Sequence, residues 1–160
     1  MVLTYRKAVK SDANLLIDIY NASFYEDYIH YGECPGYGKT KEQMESSIRA
    51  FSKYIVSKDG IPVGVISFEN KGNESYHIGC LCVIPAYQRQ GIGSQAFRYM
   101  LSVCPDWKHI TVATPSDKEK NLKFYTEKCG FSIAGKEMDG TVEVATLVME
   151  RHIPAEGELH

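Results

Sequence analysis

The chain has 160 residues, 44% of them hydrophobic, and a formal net charge of −2. That is the size of one ordinary domain, with enough apolar material for a core and no charge excess asking for nucleic acid. No apolar run approaches the roughly 18 residues of a membrane span, and the opening MVLTYRKAVKSD lacks the apolar core and cleavage site of a signal peptide. The sequence therefore reads as cytoplasmic, with neither nucleic acid nor membrane as a partner. Five cysteines, odd in number and irregularly spaced, read as free thiols. Cys80 and Cys82 form a C-x-C pair. No second pair at ligand spacing follows, so no metal is expected, and on a strand the two would share a face as small apolar side chains.

In chain order, Thr4 to Val9 reads as a first strand. Ser11 is placed to cap a helix in which Ala13, Leu16, Ile17 and Tyr20 form one apolar stripe. A loop rich in aromatics and glycine then runs to about Lys39. Thr40 and Gln43 make a capping box, and Met44, Ile48 and Phe51 continue that second helix on one face. FSKYIVS and IPVGVISFEN flank Lys58-Asp59-Gly60, a tight-hairpin signal. Tyr76 to Ile84 is another strand. Beyond a glycine stretch, Phe97, Met100, Leu101 and Cys104 keep helical spacing, and His109 to Thr114 is a short strand. Ser116 with Glu119 makes a second capping box, opening a helix that Gly130 ends. FSIAGKEM and TVEVATLVME flank Asp139-Gly140, a second hairpin signal.

The strand–helix–strand piece from Tyr76 to Thr114 implies a parallel pair, because a helix crossover joins parallel strands. The two hairpins imply antiparallel neighbours. The expected fold is α/β, of the layered α+β kind. It has a central mixed, mostly antiparallel sheet of about seven strands flanked by about four helices. Residues 1–153 form one domain, and 154–160 read as a flexible tail.

The stretch YQRQGIGSQAF, Tyr87 to Phe97, carries the chemistry. A helix start presents unpaired N–H groups and a partial positive charge, a natural seat for phosphate. Gly91 and Gly93 remove Cβ atoms that would block close approach, and Gln88, Arg89 and Gln90 add donors. Gly91-x-Gly93-x-x-Ala96 fits a dinucleotide fingerprint. That motif needs its first glycine at the strand end, however, and here Pro85 to Gln90 intervene. Gly32 to Thr40, GECPGYGKT, is not a P-loop: five residues separate Gly32 from Gly38 where four are required.

Val83 to Gly93, VIPAYQRQGIG, resembles the acyl-CoA-binding segment of the GNAT (GCN5-related) N-acetyltransferases, whose signature is Q/R-x-x-G-x-G/A after a strand. Asn121-x-x-Phe124-Tyr125-x-x-x-Cys129-Gly130-Phe131 is similar to that family's second motif. YRKAVKSDANLLIDIYNASF resembles its first strand and helix, and the element order agrees over roughly residues 3–150. The resemblance implies a single GNAT-like domain whose parallel strands splay apart. It also implies an acetyl-CoA-dependent N-acetyltransferase that moves an acetyl group directly to a primary amine of a small molecule or peptide.

Carried over residue by residue, the resemblance places backbone from Leu81, Cys82 and Val83 along the pantetheine. Gln88, Arg89, Gln90, Gly91, Ile92, Gly93 and Ser94 then wrap the pyrophosphate. Asn121 lies on the cofactor arm and Phe124 is a further cofactor contact. Tyr125 lies beside the sulfur as general acid; a phenol of pKa near 10 can lend a proton to a thiolate of pKa about 8.5. His77, six positions before Val83, stands where some members carry a catalytic glutamate; Glu69 is the second candidate base, and water alone is the third. On the acceptor side, Phe24, Tyr25, Tyr28 and Tyr31, with Tyr20 and Tyr37, offer an aromatic wall for an amino acid, amine or antibiotic-like molecule. Glu26, Asp27 and Glu33 would attract a cationic acceptor. A thiolate route through Cys80 or Cys82 is disfavoured, since His77 is an odd number of residues from both unless a bulge changes the parity. The alternative reading is a catalytically silent acyl-CoA sensor or regulatory module. Keeping both the tyrosine and the glycines favours the enzyme. The chain is a monomer or a homodimer.

Overall fold

The computed structural model describes residues 2–152, so the tail read at 154–160 lies outside the described residues. The strands are β1 (Leu3–Lys7), β2 (Ser52–Lys58), β3 (Ile61–Gly72), β4 (Ser75–Val83), β5 (His109–Pro115), β6 (Ser132–Asp139) and β7 (Val142–Glu150). The helices are α1 (Ala13–Tyr31), α2 (Lys41–Ala50), α3 (Ile92–Val103) and α4 (Glu119–Lys123), the last running on as a π-helix over Phe124–Cys129. The strands form one seven-stranded sheet in the order β1-β2-β3-β4-β5-β7-β6. Among the described residues only β4 and β5 pair in parallel. The other neighbours are antiparallel. No helix among the described residues is long and apolar enough to cross a membrane.

The sheet is covered on both faces. One apolar cluster joins Val56, Ile66, Ile78, Ile110 and Leu147 of the strands to Ile92, Phe97 and Met100 of α3 and to Tyr125 and Phe131. The other joins Ile55, Val65 and Cys82 to Leu16, Ile19 and Tyr20 of α1 and Met44 of α2. Both follow from period-two alternation along the strands and helical stripes above them. All five cysteines are free thiols.

The turns explain the strand order. Asp59 (φ 49°) and Gly60 (φ 84°) make the first hairpin with two left-handed residues, the type I′ geometry that matches strand twist. At the second signal Asp139 still pairs with Val142, and the turn is centred one residue later, on Gly140 and Thr141, with Gly140 at φ 61°. The turn between β3 and β4 places Asn73 and Glu74 at φ 54° and 63°.

Four sequence expectations need correction. The segment after Phe24 is helix rather than loop. α1 continues to Tyr31 and stops where Gly32 turns left-handed (φ 76°), its N–H donating to the Tyr28 carbonyl at 2.9 Å. Ser11 does not cap α1. A short 3₁₀ turn intervenes, and the Asp12 carboxylate takes the Val9 N–H (2.8 Å) and both arms of Arg6 (2.9 and 3.0 Å). Ser116 caps nothing either; its hydroxyl donates at 2.6 Å to Glu143 on β7, a charged acceptor that outcompetes a backbone N–H, and α4 begins at Glu119. Phe51 has left α2 and is already extended (φ −120°, ψ 152°). The Thr40–Gln43 capping box forms as expected, with reciprocal bonds of 2.9 and 3.1 Å.

One charged side chain lies inside this packing. Lys53 of β2 is 3% exposed, on the same face as Ile55. Burial lowers its pKa from 10.5 to about 8. Between those values the unfolded chain holds a proton that the folded chain has released, so stability rises with pH across that window. Urea titrations at pH 7 and pH 10.5 should therefore show the wild type gaining about 3 kcal/mol on Lys53→Met. Equal pH slopes in the two proteins would show that burial does not depress this amine.

Candidate active site

β4 and β5 stop pairing early. Their ladder runs from Ser75 opposite His109 to Ile78 opposite Val112, yet β4 continues to Val83 and β5 to Pro115. The cause lies on the other edge of β4. Ser67 of β3 pairs with Cys80 and Phe68 with Ile78, so Gly79 is an extra, bulged residue. Glycine is required there, since a Cβ would meet the Phe51 ring at 2.8 Å. Past the bulge the strands diverge and leave a cleft of about 630 Å³. Leu81, Thr114, Asn121 and Tyr125 line it from the sheet and α4 side, and Tyr20, Phe24 and Tyr31 from α1.

The glycine stretch sits at the end of β4, where α3 begins. Gly91 is the N-cap of α3 at φ 79°, and no side chain caps the helix. Among the described residues the first N–H groups of α3 therefore have no side-chain partner, and its first turn carries no acidic residue. Gly93 lies under Phe124, whose ring carbons would meet a Cβ at 3.3 Å. Two of the neighbouring polar side chains are engaged elsewhere: the Gln88 amide donates to the Val83 carbonyl at 2.8 Å, and Gln90 accepts from Lys58 at 2.6 Å. Arg89 is held left-handed at φ 64° and is exposed. An open helix start beside a divided sheet, with a glycine at the cap, fits an anionic diphosphate. Ile92 and Cys82 are core residues on opposite faces of the sheet; they can offer only backbone to a ligand.

Asn121 and Tyr125 both reach the cleft. Asn121 donates to the Thr114 hydroxyl at 3.0 Å. Tyr125 starts the wide π-turn: its carbonyl accepts from both Gly130 (3.0 Å) and Phe131 (2.9 Å), and its ring packs edge-on against Phe124 and Phe131. Burial drives the Tyr125 phenol well above its ordinary pKa, so it is protonated at every working pH.

The bulge settles the parity question against the sequence argument. Tyr76 and Ile78 before it, and Leu81 and Val83 after it, face α3. His77, Cys80 and Cys82 thus share the opposite face. Among the described residues no hydrogen bond joins His77 to either thiol; its Nδ1 is bonded to the Thr111 hydroxyl at 2.8 Å. Partial burial lowers the pKa of His77. Glu69 is its cross-strand partner on β3, outside the cleft and beside Lys71 at 3.5 Å. Cys80 has its pKa held down by a hydrogen bond from Cys82 and by the charge of Lys53, while the same bond and burial push Cys82 up.

The aromatic wall divides. Phe24 and Tyr31 line the cleft. Tyr25 and Tyr28 lie on the outer side of α1, 54% and 40% exposed, where Tyr28 stacks on Tyr37 at 4.5 Å. The end of α1 is tied down by Lys118 donating to Asp27 (2.7 and 2.8 Å), Tyr31 donating to Asp117 (2.8 Å), and the Thr141 N–H donating to Glu33 (2.9 Å). Asp27 and Glu33 are therefore engaged. Lys53 is a cleft residue to which no sequence motif points, although FSKYIVS as a strand puts it on the side of Ile55.

Comparison with known proteins agrees with this fold. One curated relative, the uncharacterized protein YrkN from Bacillus subtilis (strain 168), is 33% identical over 82 residues, 50% of this chain and 44% of that protein. The chain thus spans less than half of that relative's length. The PaiA N-acetyltransferase from Thermoplasma acidophilum, solved with coenzyme A, superposes with a TM-score of 0.76 at 15% identity, covering 94% of this chain and 100% of its own. YncA from Salmonella typhimurium, solved with its cofactor acetyl-CoA, gives 0.73 at 13% identity over 100% of both chains. The sequence matches the acetyltransferase (GNAT) family over residues 14–131; together with the seven-stranded sheet, its divided parallel pair and the uncapped α3, this match means that the chain belongs to the GNAT acetyltransferases, whose co-substrate is acetyl-CoA.

Proposed function

We propose that this acetyltransferase acts on a primary amine, of a small molecule or a peptide, by direct transfer with no acyl-enzyme intermediate. The observation that carries the reading is the uncapped start of α3, which follows the unpaired end of β4 in the chain, together with a cleft that Leu81, Asn121 and Tyr125 line. Backbone N–H groups of Gly91 to Ser94 would hold the diphosphate, with Arg89 adding charge, and the unpaired edge of Leu81 to Val83 would hold the arm. Phe124 and Asn121 would flank that arm. When bound, acetyl-CoA supplies the acetyl group as a thioester.

Tyr125 Oη then serves as proton donor to the leaving sulfur. Its raised pKa keeps the proton in place and makes the phenol a weaker acid than a thiol. It therefore acts by hydrogen-bonding the developing negative charge before the proton moves. An amine is protonated near neutral pH and must lose a proton before it attacks. His77 is suited to accept that proton. Burial keeps it neutral, it reaches the cleft, and its bond at Nδ1 leaves Nε2 as the free ring nitrogen. Glu69 would act on the reaction only through His77. The groups that act on the Cys80 thiol are Cys82, Tyr20, Lys53 and Lys39, with no histidine among them, which supports direct transfer over a thiol route.

Gly91→Val forces a branched residue to φ 79° and should weaken acetyl-CoA binding about tenfold or more by calorimetry. Unchanged binding would move the diphosphate away from α3. Tyr125→Phe should lower kcat about 100-fold while acetyl-CoA still binds, and an unaltered kcat would remove its role as donor. For His77, kcat/KM should fall at acid pH as the imidazole protonates, below its ordinary pKa of 6.5. That limb should vanish in His77→Ala; a limb that survives there leaves the deprotonation to water.

A further inference from the structure

Among the described residues, Lys53 is the one buried charge that the acetyl-transfer machinery does not use. It lines the acceptor half of the cleft and is 3% exposed. Its ammonium donates to the Tyr20 hydroxyl at 2.6 Å and the Ser67 hydroxyl at 3.1 Å. The rings of Tyr20 and Phe51 lie 4.9 and 5.4 Å from the nitrogen. Among the described residues no carboxylate stands within ion-pair distance of it. The acids nearest the same cleft wall on α1 and its end are engaged, Asp27 by Lys118 and Glu33 by the Thr141 N–H. Lys39, from the segment before α2, lines the same cleft and adds a second positive charge.

A buried cation without a counter-ion costs several kcal/mol and is not left so without a compensating group. The donor set says what that group is. An ammonium has three N–H donors, of which two are used. Tyr20 also hydrogen-bonds Ser67 and Cys80, so the third N–H of the ammonium is the donor left over, beside two hydroxyls that can turn toward an anion. That arrangement is complementary to a planar anion with two acceptor oxygens.

Its position favours the acceptor over the acyl donor. Lys53 pairs with Ser67, and Ser67 with Cys80, in a row across three strands that ends at the bulge. The row lies on the α1 and α2 face, whereas the uncapped start of α3 is on the other. We propose that Lys53, Tyr20 and Ser67 form a carboxylate-binding subsite, and that the acceptor is an amine that also carries a carboxylate, such as a free amino acid. This rests on the acetyl-transfer reading above. The nearest rival counter-ion is a thiolate at Cys80, and it is separable by mutation.

The test compares thiol release from acetyl-CoA with free amino acids and ω-amino acids, with the matching carboxamides, and with simple diamines. The proteins are wild type, Lys53→Met and Cys80→Ser. The expected result is wild-type turnover on a carboxylate-bearing amine with kcat/KM about tenfold or more above its carboxamide. In Lys53→Met the KM for that acceptor should rise about 10- to 100-fold while the KM for the carboxamide holds. Cys80→Ser should keep the preference. The proposal is overturned if Lys53→Met depresses acid and amide equally, which would mark an oxyanion or structural role. It is also overturned if Cys80→Ser reproduces Lys53→Met, or if no carboxylate-bearing amine turns over. Calorimetry with acetyl-CoA runs beside these assays. Binding to wild type and Lys53→Met alike confines any failure to Lys53, whereas no binding to wild type overturns the acetyl-transfer reading itself.

Discussion

The early end of the β4–β5 ladder is the constraint on which the site depends. A parallel pair that stayed bonded to its end would bury its backbone groups in the sheet and leave no cleft. Here pairing ceases after Ile78 and Val112 because Gly79 adds a residue to β4. The unpaired edge is left with N–H and C=O groups that need partners. A ligand carrying amides along its length can satisfy them, as another strand would. The same bulge brings His77 and Cys80 onto one face, so one inserted residue both opens the sheet and groups a titratable ring with the thiols.

The two sides of the divided sheet differ in character. The α3 side presents backbone, glycine and a helix terminus, which suit a ligand recognised by its diphosphate and amides. The α1 side presents rings, hydroxyls and one buried ammonium, which suit recognition of a particular acceptor. Lys53 shows the tension between these demands and stability. A charge at that depth works against the fold, and an apolar residue of similar size would pack beside Ile55 and Tyr20 without a desolvation cost.

Most of the architecture is legible in the sequence, because its signals are local. Asp59-Gly60, the Thr40–Gln43 box, the alternation in β2 to β4 and the stripe of α3 each declare themselves within a few residues. The misleading groups are those with distant partners. Ser116 and Glu119 have capping-box spacing, but Glu143, far along the chain, takes the hydroxyl. The aromatic run after Phe24 suggests a loop, although helix spacing continues to Gly32 and the end of the helix is fixed by Asp117 and Lys118. The open start of α3 can be anticipated from the glycines, and the shared face of Asn121 and Tyr125 from their spacing. The cluster around Lys53 cannot, since it exists only once Tyr20 and Ser67 are brought against that side chain.

The ties across the end of α1 also bear on when the site comes into being. Tyr31, Asp27 and Glu33 bond to partners 86, 91 and 108 residues later in the chain. The start of α3 follows β4 within a short span, and its surroundings can form from nearby sequence. During synthesis, then, the end of α1 is not fully tied down until the last hairpin has left the ribosome. A chain interrupted before Thr141 would lack the Glu33 tie even with β4, α3 and Tyr125 already made. The tie that holds the end of α1 to the last hairpin is thus among the last contacts that this molecule makes.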